Sequence, residues 1–557
     1  MAQIPVEKKT NGFGLEAARI LLLVLITSFA YSNTLHNQFV FDDSRIYLNP
    51  HIRLSRLDIA GLANAWQKSE PRSRPLVNTS FAVNYFFHQD KVSGYHLVNI
   101  AIHIATGIFL FLLSKTTLNL PVLRSRRQSW GWVPFVGALL WLVHPVQSQS
   151  VTYIVQRMNS MAALFYLLAL FAYVRGRLAG RWGVRLGWFG GAAGAGLLAF
   201  WSKEIALTLP VFIVLYEWYF LQDLKCGWLK KHGLLVGCGI GLLVAAAFFF
   251  YYGRDPFTGL LAGYAGRDFT LVERLLTETR VVIFYLSLLF FPWPGRLNLD
   301  HDFAISQSLL APPNTILALA ALVMLLAAAV FLARRQRLLS FGLIWFLGNL
   351  AIESTVVPLE ISFDHRLYLP AMLLILALVA FWHENLSGNY GKLLAVVAVA
   401  LVLTFWTHQR NRIWANPVSL WSDCAAKSPA KARVHGNLGV ALKRAGRLAE
   451  AEDHFLETIR LDPTFFEAYN NLGNIRSMQG RSGEAVAFYS RAIAIRPDIA
   501  TLYINRGHSL EDLWRLPEAR GNYAKALQMD PGNGEARASL YRVGRMLAGN
   551  RGQGLQK

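Results

Sequence analysis

The chain has 557 residues, a hydrophobic fraction of 54%, a mean hydropathy of +0.32 and a formal charge of +21. So apolar a composition, arranged in repeated runs of about 20 residues, excludes a soluble globular protein and points to a polytopic membrane protein. Much of the Lys and Arg falls in short loops between those runs, a topological signal and not a nucleic-acid footprint, and Cys226, Cys238 and Cys424 have the spacing of neither a metal site nor a disulfide framework.

Residues 17–32 (AARILLLVLITSFAYS) form the first apolar helix, with no small-residue cleavage site after it, so it reads as a retained span. Just beyond it lies Phe39-Val40-Phe41-Asp42-Asp43, which puts two adjacent carboxylates near the membrane surface. An acid at that depth is a candidate site, against the plainer reading of a helix cap or surface turn. Adjacent residues of an extended loop point in opposite directions, so one aspartate is expected to act while its neighbour holds a loop or an Arg. Two carboxylates could also hold a divalent cation, yet such sites recruit further oxygen ligands and the spacing demands none. The segment 34–94 is a long loop with helical patterns at 54–66 and 74–85, suited to lie on the membrane surface. It also contains Asn78-Thr79-Ser80, a weak glycosylation pattern.

Further spans are expected near 95–114, 131–147, 158–174, 186–202, 205–221, 233–252, 313–333, 340–358, 367–383 and 392–407, eleven with the first. The clusters Lys8/Lys9, Arg124/Arg126/Arg127, Arg175/Arg177/Arg181/Arg185, Lys225/Lys230/Lys231 and Arg334/Arg335/Arg337 then share one side, the cytoplasmic one. The apolar segment 273–294 carries Glu273, Arg274, Glu278 and Arg280 in its first half and is read as re-entrant or interfacial. The N-terminus is then inside and the C-terminus outside. Residues 34–94, 253–312 and 354–366, with His144-Pro145 and Ser202-Lys203-Glu204, face the exterior together. Along the second span His96, Asn99 and His103 share one helical face, where polar groups meet protein or a water-filled cavity; an interhelical hydrogen bond is the plainer role for each His.

Beyond residue 425 the pattern changes. Pro429, Pro463, Pro497 and Pro531 recur every 34 residues, as do Gly439, Gly473 and Gly507, Ala451, Ala485 and Ala519, and Phe455, Tyr489 and Tyr523. This is the tetratricopeptide period: small residues let paired helices approach, and proline ends each second helix. The third repeat departs at Arg506, where leucine is expected, and the stretch after Pro531 has a capping pattern. The expected fold is all-α: a multispan domain over 1–410, a linker over 411–428, extracytoplasmic repeats over 429–545 and a flexible tail over 546–557. The repeats either stiffen the protein or, the favoured reading, hold a peptide or partner on their concave face.

Phe41-Asp42-Asp43, Arg74-Pro75-Leu76, Asn84-Tyr85, Gly94-Tyr95-His96-Leu97-Val98-Asn99 with His103, His144-Pro145 with Arg157, Ser202-Lys203-Glu204 and Asp364-His365-Arg366-Leu367-Tyr368-Leu369-Pro370 together resemble the transmembrane and tetratricopeptide repeat-containing protein O-mannosyltransferases. The resemblance covers nearly the whole chain, with a shorter array of about three repeats. It implies a GT-C type glycosyltransferase that passes a sugar from a polyprenyl or dolichyl phosphate to an acceptor outside the cytoplasm, mannose and a protein Ser/Thr hydroxyl being favoured. It favours Asp42 over Asp43 as the base that takes the acceptor proton. The leaving lipid phosphate needs fixed positive donors, and Arg366, Arg157, Lys203 and Arg74 are the candidates in that order, each with a snorkelling anchor as the plainer role. Sugar or acceptor contacts are assigned to His96, Asn99, His103, Asp300, His301, Asp302, Asp364, His365 and Tyr368. Glu353 is placed to pair with Arg366, and Lys203 with Glu204. No cofactor is firmly implied. The compact size and arginine-rich loops favour a bacterial inner membrane with periplasmic repeats over an endoplasmic reticulum membrane with lumenal ones. A non-catalytic scaffold that assembles envelope or secretory partners is the competing function. A transporter would need midplane charges and internal symmetry.

Overall fold

A computed structural model describes residues 12–123, 130–252 and 255–554, and among them every regular element is helical. Lys8, Lys9, Arg124, Arg126 and Arg127 lie outside the described residues. The chain divides into two compact units, residues 1–416 and 417–557.

In the first unit, each interval read as a span holds helix. Among the described residues, six stretches are long and apolar enough to cross a membrane: Gly14–His36, Val92–Leu118, Ile154–Leu178, Glu204–Leu221, Asn314–Leu332 and Asn389–Ile413. Val133–Leu142, Arg337–Leu350 and Ala371–Asn385 are shorter apolar helices. The protein is therefore an integral membrane protein. Between apolar helices in lipid there is little hydrophobic drive, so close backbone approach supplies the packing. A Cβ on Gly137 would stand 2.8 Å from Leu376, and one on Gly342 2.9 Å from Ala377, which is why these seams carry glycine. Trp345 fills the space between them and the neighbouring helices, with its ring 5.5 Å from Tyr166 and 4.9 Å from Phe212.

The segment 34–94 folds as the short helix Ser44–Tyr47, then Ile59–Lys68 and Pro75–His88. Asp58 caps the second by accepting the Gly61 N–H, and Pro75 starts the third at a position where its missing N–H costs nothing. Leu271–Phe290 is one helix, opened by a Thr270/Glu273 capping box. Two of its four charged residues, Arg274 and Glu278, point inward and are buried, where they pair with each other.

The second unit begins with the helix Pro417–Lys427, within the stretch expected to be a linker. Three helix pairs follow: Ala432–Arg444 with Leu448–Leu461, Phe466–Met478 with Ser482–Ile495, and Ala500–Asp512 with Leu516–Met529. The periodic glycines explain themselves here. A Cβ on Gly439, Gly473 or Gly507 would meet the ring of Phe455, Tyr489 or Tyr523 at 2.7, 2.6 and 2.6 Å, so each glycine is a seat for the aromatic of its own repeat. Arg506, at the expected leucine position, donates to Asn522 and Ser490. Gly534–Gly554 closes the stack as one helix that runs on through most of the expected tail.

Candidate functional site

The two aspartates divide sharply. Asp43 is fully buried: one carboxylate oxygen accepts the Val40 N–H at 3.0 Å and the other the Val155 N–H at 2.8 Å. Burial pushes its pKa up to about 8, against those two donors and the positive charge of Arg157. Asp42 keeps a carboxylate that is 36% exposed, 3.3 Å from the outlying Arg45 guanidinium. Its backbone N–H donates to Tyr153 Oη at 3.0 Å. Phe41, just before it, has a φ of 48°, a left-handed conformation that costs a bulky side chain about 1–3 kcal/mol. The Asp43 clamp and the Tyr153 bond hold this turn. Tyr153 is stacked on Trp414 at 5.2 Å, and its other neighbour is the Phe41 ring at 6.5 Å. Each Asp43 oxygen already accepts one backbone N–H, so a cation shared by the pair would have to share those oxygens with the clamp.

Arg157 does not face an open site. It is fully buried, with Nε donating to Asn99 Oδ1 at 2.7 Å, Nη2 to Asn84 Oδ1 at 2.6 Å and to Tyr95 O at 3.2 Å, and Nη1 to Ser80 O at 3.3 Å. Its plane lies 4.3 Å from the Phe81 centroid. The residue stitches the Pro75–His88 and Val92–Leu118 helices to its own, and Asn99 is part of the stitch, donating to Val151 and Ile154 carbonyls. Asn78 is buried and donates to Ser69 and Pro71 carbonyls, so it offers no glycosylation acceptor.

The remaining cations pair differently from expectation. Lys203 is held by Glu353 at 2.7 Å and Asn159 at 3.1 Å, and Arg74 takes Glu204 at 2.8 Å. Arg366 lies 3.6 Å from Glu278, which Arg274 also pairs at 2.8 Å. Arg274 was not singled out by sequence reasoning, since charges there read only as a bar to spanning. Its guanidinium also ties down the carbonyls of Glu353 and Thr355. Arg74, Lys203, Arg274 and Arg366 thus face three carboxylates, and the group carries a net positive charge. Arg366 donates to the Ile361 carbonyl at 2.9 Å and to that of Glu360, while its buried Nε has no hydrogen-bond partner.

The segment 150–159 is the hub of the region. Val155 clamps Asp43, Arg157 binds the two preceding helices, and Asn159 joins Lys203 to the His365 carbonyl. His365 donates its backbone N–H to Gln149 at 2.6 Å, and its buried Nδ1 is unpartnered. Burial and the nearby cations Lys203, Arg366 and Arg74 hold its imidazole neutral, well below the usual His range.

Several assigned sugar contacts are fixed elsewhere. His103 spans from the Leu142 carbonyl at 2.9 Å to Tyr368 Oη at 2.8 Å, packed on Trp141, so both residues are interhelical linkers. His96 is buried on the same helix. Asp364 accepts the Asn298 N–H at 3.1 Å and lies 2.8 Å from His301 Nε2, which clasps residues 298–301 onto 364–367. Asp300 is buried, and Asp302 is left exposed beside the clasp. Polar residues in apolar surroundings signal function or structure alike, and at these positions the partners are structural.

The tetratricopeptide repeat family profile matches residues 423–466 and 437–498. Relatives extend over most of the chain. A Caenorhabditis elegans protein named protein O-mannosyl-transferase F38B6.6 is 24% identical over 82% of this chain and 64% of its own length. Drosophila melanogaster protein O-mannosyl-transferase Tmtc3 is 25% identical over 82% of this chain and 57% of its own. Human protein O-mannosyl-transferase TMTC2 is 31% identical over 38% of this chain and 26% of its own. The chain spans less than two thirds of the length of these relatives. Among solved structures, the first TPR of Spaghetti (RPAP3) bound to HSP90 peptide SRMEEVD is 25% identical, covering 21% of this chain and 94% of that one with a TM-score of 0.21.

Proposed function

We propose that this chain, related over most of its length to proteins named protein O-mannosyl-transferases, moves mannose from a polyprenyl or dolichyl phosphate to a Ser or Thr hydroxyl on the extracytoplasmic face of its membrane. The observation that carries the reading is the division of the acidic pair: one accessible carboxylate on a strained turn, anchored by the buried carboxylate beside it. Asp42 takes the proton of the acceptor hydroxyl as its oxygen attacks the anomeric carbon. The bond from that carbon to the phosphate oxygen breaks, and the lipid phosphate leaves with the electron pair. The surplus positive charge of the buried Arg366 group stabilises this anion electrostatically. Arg157, Lys203 and Arg74 act at one remove, by holding the loops. The repeats bind the acceptor polypeptide. The membrane is a bacterial inner membrane with periplasmic repeats, or an endoplasmic reticulum membrane with lumenal ones.

The test is transfer of radiolabelled sugar from a panel of polyprenyl-phosphate sugars by the full chain in lipid. Asp42→Asn is expected to lower kcat by about 10²–10⁴-fold with donor binding retained. An unchanged rate would remove Asp42 as the base. The profile match to repeats favours a second reading, a scaffold without activity. That reading replaces the first if the parent transfers from no donor while its repeats capture a defined partner.

A further inference from the structure

We propose that the groove walled by the Gly12–Tyr31, Val133–Leu142 and Asn389–Ile413 helices binds an anionic glycerophospholipid whose headgroup is held by Arg19 and Lys392. The groove encloses about 1100 Å³, above the ~300–1,000 Å³ of ordinary small-molecule pockets. Its walls are apolar, with Leu22, Ile26, Phe135, Val396 and Ala400 among them, and they suit acyl chains. Both of its cations come from positions within two turns of a helix start.

Arg19 stands half-buried in a helix otherwise almost wholly apolar. The one acid of that helix, Glu16, is taken by Lys115 of the neighbouring span. Lys392 spends a donor on the His383 carbonyl at 2.8 Å and has two more to offer. Trp132 packs against the His383 ring at 4.6 Å at the groove's edge, an aromatic of the kind that settles at headgroup level. A basic pocket between spans at that level selects anionic headgroups. Arg19 lies about 10 Å of helix axis from Gly12 and Lys392 about 4.5 Å from Asn389, each towards the start of its helix and within snorkelling reach of the surface there, whereas Asp42 follows the far end of the first helix. The headgroup therefore lies at the membrane surface opposite Asp42, and this lipid is distinct from a donor whose phosphate is cleaved near the acidic pair.

The experiment is native mass spectrometry of the detergent-purified full chain titrated with phosphatidylglycerol or phosphatidylcholine. The expected preference for phosphatidylglycerol is roughly thirty-fold, about fivefold for each cation. R19Q/K392Q should bring the two lipids to parity, whereas R181Q/K230Q, which removes two cations outside the groove, should leave the preference as in the parent. A400W, which fills the trough and leaves the cations in place, should weaken both lipids together. Equal binding of the two lipids by the parent overturns the proposal, as does a preference that survives R19Q/K392Q. Displacement of phosphatidylglycerol by a stoichiometric amount of polyprenyl phosphate would also overturn it, by giving the groove to the donor.

Discussion

Asp43→Ala separates a loop-holding carboxylate from a reacting one. The substitution leaves the Val40 and Val155 N–H groups buried without acceptors. Each unsatisfied group costs about 1–3 kcal/mol, so about 2–6 kcal/mol is lost together. The strained turn at Phe41, itself costing about 1–3 kcal/mol, loses the clamp that holds it. Thermal unfolding in detergent should therefore show a clear drop in midpoint for Asp43→Ala and almost none for Asp42→Asn, whose side chain is partly in solvent. Transfer rates should fall in both, but only Asp43→Ala should recover activity on cooling or on addition of a stabilising lipid. The reasoning is refuted if Asp43→Ala melts with the parent, or if Asp42→Asn is the variant that loses stability.

The raised pKa of Asp43 gives a second test. Folding favours its protonated form, so its contribution is fully present below about pH 4 and is lost as pH rises towards about 8. The melting temperature of the parent should fall across that window more steeply than that of Asp43→Asn, and parallel curves would contradict the burial argument. For the buried Lys203–Glu353 pair, Lys203→Met alone should cost about 3–5 kcal/mol, and Lys203→Met/Glu353→Leu much less; additive losses in denaturant titrations would disprove the pairing. Arg366→Lys keeps the charge but gives up the fork and the Nε donor, so it should raise KM for the donor more than it lowers the melting temperature. Gly473→Val should destabilise the repeats by about 1–3 kcal/mol, because its side chain enters the space of the Tyr489 ring; unaltered melting of the repeats would sink that packing argument.

Periodicity was the most legible layer. The 34-residue recurrence of proline, glycine, alanine and aromatic residues is a backbone instruction: each repeat needs the same seat for its ring, and the sequence states that seat at Gly439, Gly473 and Gly507. The apolar runs were equally readable, because crossing a membrane demands length and composition and little else. The helix Pro417–Lys427 inside the expected linker carries too few residues for a clear pattern in the sequence.

What lay beyond the sequence was which polar groups pair. Lys203 and Glu204 are neighbours in the chain, yet their partners are Glu353 and Arg74, because a residue at a span's end meets whatever the opposite helix presents. Arg274 looked like an obstacle to spanning and is the post around which residues 353–360 are tied. His103, Tyr368 and Arg157 looked like ligand contacts and are internal fasteners. Sequence alone determined the membrane helices and the repeats, since these follow from periodic patterns along one chain. The tertiary structure alone decided that Asp43 is clamped and Asp42 accessible, because that choice depends on a backbone N–H supplied from 112 residues away.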